Sequence, residues 1–230
     1  AGLNLGAGTT LTATTSTALD SGGGSQRPVT VAAGGANIDI PDTIELTISG
    51  PLTGGTVTKL GPGTLSIANT SNTTPFVVSA GTLRSVATTA GNGGFGAGAI
   101  TLQGGATITG IMPAGNTLTF GNALTVPTGQ TGNVNATDRF NWTGVVTGGG
   151  TLNVNVISTQ SRHDFNSDWT GFTGNLNIAG TGTARLFING GNFGAGVQWG
   201  NAAVDLGGSV TIAPVTNSTG NDIRIGALTG

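Results

Sequence analysis

Lys59-Leu60-Gly61-Pro62-Gly63-Thr64-Leu65-Ser66-Ile67 carries the pattern that decides the fold. A glycine is followed by a small polar residue, then by apolar and polar positions in strict alternation. Ser79-Ala80-Gly81-Thr82-Leu83 repeats the opening eighteen residues later. Period 2 is the mark of a strand with one face buried. The same alternation runs through Asn37-Ile38-Asp39-Ile40, Leu46-Thr47-Ile48, Leu118-Thr119-Phe120, Leu152-Asn153-Val154-Asn155-Val156, Leu176-Asn177-Ile178 and Val210-Thr211-Ile212. No long window places apolar residues at helical spacing, and Glu, Lys, Gln and Arg are scarce, so little or no α-helix is expected.

The glycine that opens these words recurs at Gly8, Gly35, Gly63, Gly81, Gly105, Gly132, Gly150, Gly174 and Gly208, at intervals of 18 to 34 residues with a mean of 25. An internal repeat of that size belongs to a solenoid, whose turns vary in length while the strand unit is kept. A sandwich would instead show hairpin dipeptides every 8 to 12 residues or so. Asn189-Gly190-Gly191 is the main candidate of that kind. The sequence therefore reads as one all-β domain over residues 1–230, a parallel β-helix of about nine or ten coils, with apolar residues inside, Thr and Asn outside, and Gly at tight corners.

Composition narrows the function. Glycine supplies 44 of 230 residues and charged residues only 7%, with seven basic side chains against nine acidic ones. One lysine, Lys59, and a net charge of -2 leave no basic stripe for a phosphate backbone, so no nucleic-acid partner is expected. Leu, Ile, Val and Phe make up 24% of the chain, above the roughly 20% below which disorder sets in. No apolar run reaches the 18 or so residues of a membrane span, and the N-terminus lacks the pattern of a signal peptide. The absence of cysteine excludes disulfides and thiol chemistry.

Lys59-Leu60-Gly61-Pro62-Gly63-Thr64-Leu65 followed by Gly81-Thr82-Leu83 resembles the autotransporter-associated β-strand repeat, whose signature is Lys-x-Gly-x-Gly-Thr-Leu with a second Gly-Thr-Leu after it. Ser49-Gly50 and Gly54-Gly55 resemble its lead-in, and Phe95-Gly96-Ala97-Gly98-Ala99-Ile100-Thr101-Leu102 the segment that often follows, so the best match spans 46–102. Gly148-Gly149-Gly150-Thr151-Leu152 and Asp168-Trp169-Thr170-Gly171-Phe172-Thr173-Gly174-Asn175-Leu176 have the look of companion segments. The resemblance implies a right-handed parallel β-helix in the passenger region of a large protein exported to the surface of a Gram-negative bacterium. It implies no chemistry. Tyrosine is absent, and so is the aromatic-girdled strand pattern of a translocator barrel, so either such a barrel was removed or the chain never had one; a piece cut from a longer secreted protein is expected.

Two clusters of titratable residues are candidate sites. Asp39, Asp42 and Glu45 recur at three-residue spacing around Pro41, either as a solvated corner or as partial ligands for a cation. Arg162-His163-Asp164-Phe165-Asn166-Ser167-Asp168-Trp169 holds the only histidine, but strand neighbours point to opposite faces, which argues against a His163–Asp164 general base. A surface ion pair from Arg162 to Asp164 or Asp168 is the plainer reading.

Trp142, Trp169 and Trp199 stand out where aromatics are 5% of residues. Exposed on a flank, they would stack on sugar rings, with Arg162, His163 and Asp168 beside them for hydroxyls; otherwise they pack as core or flank residues. Gly91–Gly96 and Gly191–Gly196 spell phosphate-loop-like strings by chance, since no helix follows them. Asn69, Asn72, Asn135, Asn141 and Asn217 head glycosylation sequons.

The expected function is a non-catalytic structural and adhesive scaffold, extracellular or on the cell surface, with glycans, host or neighbouring cell surfaces, or further copies of itself as partners through coil ends or flanks. No cofactor, metal site or catalytic residue is expected. A carbohydrate-binding module is the first alternative, and a polysaccharide lyase or hydrolase the second.

Overall fold

In the computed structural model the described residues are 2–19, 26–87, 91–112, 117–137, 139–156, 163–165 and 167–180, with side chains from 93 onward in the third stretch, and strand backbone beyond 180 at 185–188, 197–198, 203–206, 211–214, 223–224 and 227–229. They form an all-β solenoid of parallel strands. Each turn of the chain lays down strands on up to three faces. The first face begins with Leu3–Leu5, Val29–Val31 and Leu52–Gly54 and resumes with a six-stranded sheet from Gly91–Asn92 to Thr211–Pro214. The second is an eight-stranded sheet from Thr10–Thr12 to Gly171–Phe172, and the third a ten-stranded sheet from Thr17–Ala18 to Ala227–Thr229. The solenoid makes about 7 turns, fewer than the nine or ten expected. Seven strands of the third face lie within 26–180, and the other three extend it at its ends.

The alternation in the sequence sets the register. Leu46, Leu65, Leu83, Ile108, Val134, Val154 and Ile178 are buried on the third face, while their strand neighbours Thr47, Thr64, Thr107 and Asn133 point outward. Leu65 lies beside both Leu46 and Leu83, so like sits on like from coil to coil. Stacked apolar side chains leave water together, each contributing about 1.5–3 kcal/mol when fully buried.

The decisive stretch supplies two corners. Gly61 has φ +71, and a Cβ there would come within 2.4 Å of the Ile40 carbonyl oxygen; Gly81 has φ +67 and stands as close to the Gly63 carbonyl. Both the left-handed backbone and the close coil-to-coil approach demand glycine.

One coil departs from the pattern. Residues 68–75 contain no strand, and the first face is interrupted between Leu52–Gly54 and Gly91–Asn92. Asn72, buried, takes over the missing ladder: its Oδ1 accepts from the Leu52 N–H at 2.7 Å, and its Nδ2 donates to the Gly94 carbonyl at 2.6 Å. One carboxamide thus joins three consecutive coils, satisfying backbone groups that would otherwise be buried without partners.

Candidate functional site

The strands that carry the candidate residues build an aromatic interior. Thr117–Phe120, Arg139–Trp142 and His163–Phe165 pair on the first face, bringing Trp142 beside both Phe120 and Phe165. Phe95, Phe120 and Phe140 follow one another at ring-centroid distances of 5.0 and 4.7 Å. Trp142 packs on Phe120 at 5.2 Å and on Phe140 at 5.7 Å, and its Nε1 donates to the Asn122 carbonyl at 3.0 Å. Trp169 lies between Phe165 and Phe172 at 6.1 and 5.8 Å. The exposures of Trp142 and Trp169 are 0% and 1%.

That burial corrects the sugar-stacking expectation for these two residues. Neither ring offers a face to a ligand, because both complete the apolar filling of the coil. Trp199 and Arg162 lie outside the described residues, as do Asn189-Gly190-Gly191 and Asn217.

The histidine cluster is likewise drawn into the structure. His163 is fully buried on the strand His163–Phe165, and Asp164 is 4% exposed. Asp164 lies opposite the outward Asn141, whereas Phe165 lies opposite the inward Trp142, so the neighbours do face opposite sides. Among the described residues Asp164 forms an ion pair with Arg139, with Nη2 and Oδ2 3.9 Å apart. Asp168 shapes a turn: its Oδ1 accepts from the Thr170 N–H at 2.9 Å and from the Thr170 hydroxyl at 2.7 Å.

The three carboxylates around Pro41 go separate ways. Asp42 accepts from the Thr43 N–H at 3.0 Å in the exposed turn. Glu45 receives Arg84 and also Ser66, whose hydroxyl donates to it at 2.8 Å, in a cluster that crosses three coils of the third face. Burial would raise the Glu45 carboxyl, but the hydrogen bonds from Arg84 and Ser66 and the Arg84 charge outweigh it and hold the group below its ordinary value. Asp39 acts at a distance on Lys59. Among the described residues no three His, Asp or Glu side chains gather where a metal ion would fit.

Lys59 is the ionisable group that sequence reasoning missed. It sits at an inward position of Val57–Leu60, fully buried, and its Nζ donates to the carbonyls of Leu60, Gly61 and Ala80 at 2.9, 2.7 and 3.1 Å. Burial pushes its pKa down to about 8, with the Asp39 charge opposing. The parity was legible: in Val57-Thr58-Lys59 the lysine shares the side of Val57.

A shallow cleft of about 270 Å³ opens beside the interrupted coil, lined by Thr70, Gly93, Gly96, Ala97, Thr119 and Gly121. Its lining offers two hydroxyls and no ionisable side chain. Of the sequon asparagines, Asn72 is 1% exposed and Asn69 is 9% exposed, with Nδ2 bonded to Gln26 and to the Ser49 carbonyl. Among the described residues no helix is long and apolar enough to cross a membrane.

Comparison of the chain with protein-family models, with curated proteins and with solved structures found no match.

Proposed function

We propose that this chain is a non-catalytic scaffold, exported by a Gram-negative bacterium and carried on or released from its surface, where it serves structure and adhesion. The observation that carries the reading is the use made of the chemistry-bearing residues. Lys59, Glu45, Arg84, Asp168 and the two described tryptophans are each engaged in holding coils or turns together. A rod whose unusual residues serve its own cohesion is suited to bear load and to present repeated surface.

The likeness to autotransporter-associated repeats is supported by the cooperation of the motif residues. Gly61 and Gly81 make the corners, and Lys59 ties the carbonyls of Gly61 and Ala80 together. The signature thereby has a physical reason: its lysine and glycines serve one corner contact between successive coils.

Two measurements test the proposal. Antibodies raised against the chain should label intact cells of the source organism or its culture medium; signal only after lysis would overturn the exported reading. Incubation with bacterial, plant and algal polysaccharides should leave their lengths unchanged. Shortened products would overturn the non-catalytic reading and direct attention to the first-face strands around His163.

A further inference from the structure

Ala106–Ile111, Thr131–Ala136, Thr151–Val156 and Asn175–Gly180 are six-residue strands that succeed one another on the third face. They form its widest stretch. Their outward positions fall into columns: Thr107, Asn133, Asn153 and Asn177 in one, Thr109, Asn135 and Asn155 in the next. All seven are half-buried.

The columns are internally bonded. Asn153 Nδ2 donates to Asn133 Oδ1 at 2.9 Å, Asn177 Nδ2 to Asn153 Oδ1 at 2.8 Å, and Asn155 Nδ2 to Asn135 Oδ1 at 3.0 Å. Each carboxamide is held at a set orientation and repeats at the strand spacing of about 4.8 Å. A carboxamide has two N–H donors and two acceptor lone pairs, and the ladder takes one of each from Asn153. A donor and an acceptor are left for an external partner.

The four strands bear no ionisable side chain; Glu45 and Arg84 precede them on this face, and Asp205 follows. Within the four rungs a uronate or phosphate polymer would meet no counter-charge, and Arg84, one rung before Thr109, is already paired with Glu45. A second copy is disfavoured by size. Four rungs by five residues span about 300 Å², and a pair of such faces buries well under the roughly 1,000 Å² that a specific interface clears. A linear polymer gains instead from repetition, each rung adding to the last.

We propose that this Asn and Thr face binds a neutral, hydroxyl-rich polysaccharide lying along the solenoid axis, its hydroxyls exchanging hydrogen bonds with the outward amides and hydroxyls of successive coils. The inference rests on the adhesive reading and gives it a surface and a ligand class.

The test is retention of the 230-residue chain on insoluble cellulose and chitin, with immobilised polygalacturonate as the charged control. Retention on at least one neutral polymer and not on polygalacturonate is expected. Asn153→Ala with Asn155→Ala should weaken it at least tenfold with the circular dichroism unchanged, and Asn153→Val with Asn155→Val, which suits a strand and carries no polar group, provides the same reading if the alanine pair misfolds. Thr101→Ala with Thr125→Ala on the second face should change it less than twofold. Undiminished retention in the folded asparagine variants would overturn this face while leaving adhesion standing. No retention on any neutral polymer would overturn the ligand class, and surface labelling of cells would still decide the scaffold reading separately.

Discussion

The ammonium of Lys59 donates to the carbonyl of Ala80, one coil further along, at 3.1 Å. With the Leu60 and Gly61 carbonyls it completes three bonds, the full donor capacity of the group. A single side chain thus joins two corners from inside, where no water would replace it.

Lys59→Met keeps the aliphatic stem and deletes the donor. Three carbonyls then compete for partners in a buried corner, and a loss of about 2–3 kcal/mol is expected from acceptors left unsatisfied. The urea midpoint of the variant measures it; an unchanged midpoint would mean that the corner holds without the clasp.

The same lysine gives the fold a pH dependence with a defined sign. Its pKa is about 8 in the folded chain against an ordinary 10.5, so between these values the unfolded state holds a proton that the folded state has released. Stability should therefore rise as pH increases from about 8 to 10.5, and that rise should vanish in Lys59→Met. Denaturant titrations at about pH 7.5, 9 and 10.5 suffice, and a falling stability across the window would show that the three carbonyls retain the proton against burial.

At the acid end Glu45 acts the other way. Its folded pKa lies below the ordinary 4.5, so it contributes stability above that value which disappears as pH falls through the lowered one. The contribution is modest because the carboxylate is about a third exposed. Arg84→Met should return the Glu45 pKa toward 4.5, as read by carbon-detected NMR titration of its carboxyl; a carboxyl that titrates identically in both would dissociate the two residues.

Parity along strands made much of this fold legible. Each alternating stretch read in the sequence within the described residues coincides with a strand or its edge, from Ala36–Asp39 to Asn175–Gly180. Parity also bears on Trp142: Arg139-Phe140-Asn141-Trp142 places the indole on the side of Phe140, in keeping with the core-packing alternative to a sugar platform. Side-chain hydrogen bonds between neighbouring coils were illegible, because they depend on which residues the coil lengths bring together. Asn72 reaches Leu52 and Gly94, twenty residues back and twenty-two ahead, and nothing in Asn72-Thr73-Thr74 announces it. Uneven coil lengths blurred the turn count for the same reason.

The two requirements on corner glycines can be separated. Gly105 has φ +77 and open space for 4 Å around the point where a Cβ would stand, whereas Gly81 combines φ +67 with the Gly63 carbonyl 2.4 Å away. Gly105→Ala should cost about 1–2 kcal/mol, the left-handed penalty alone. Gly81→Ala must also push two coils apart and should cost at least twice as much; equal losses in urea titration would reduce both to backbone conformation.

Trp142 separates a core role from a binding role most sharply. A tryptophan serving as a surface platform could be cut to alanine with little effect on folding, but this one is fully buried between phenylalanines and bonded to the Asn122 carbonyl. Trp142→Ala should therefore cost about 3–5 kcal/mol, as aromatic truncations in cores do. Trp142→Phe keeps most of the ring but loses the bond to Asn122, so its stability should fall between those of the alanine variant and the unaltered chain. With Trp169 and Trp199 replaced by phenylalanine, the emission of Trp142 should be blue-shifted and resist quenching by iodide. Ready quenching, with a Trp142→Ala variant of unchanged stability, would put the indole back on the surface and restore its claim to a ligand.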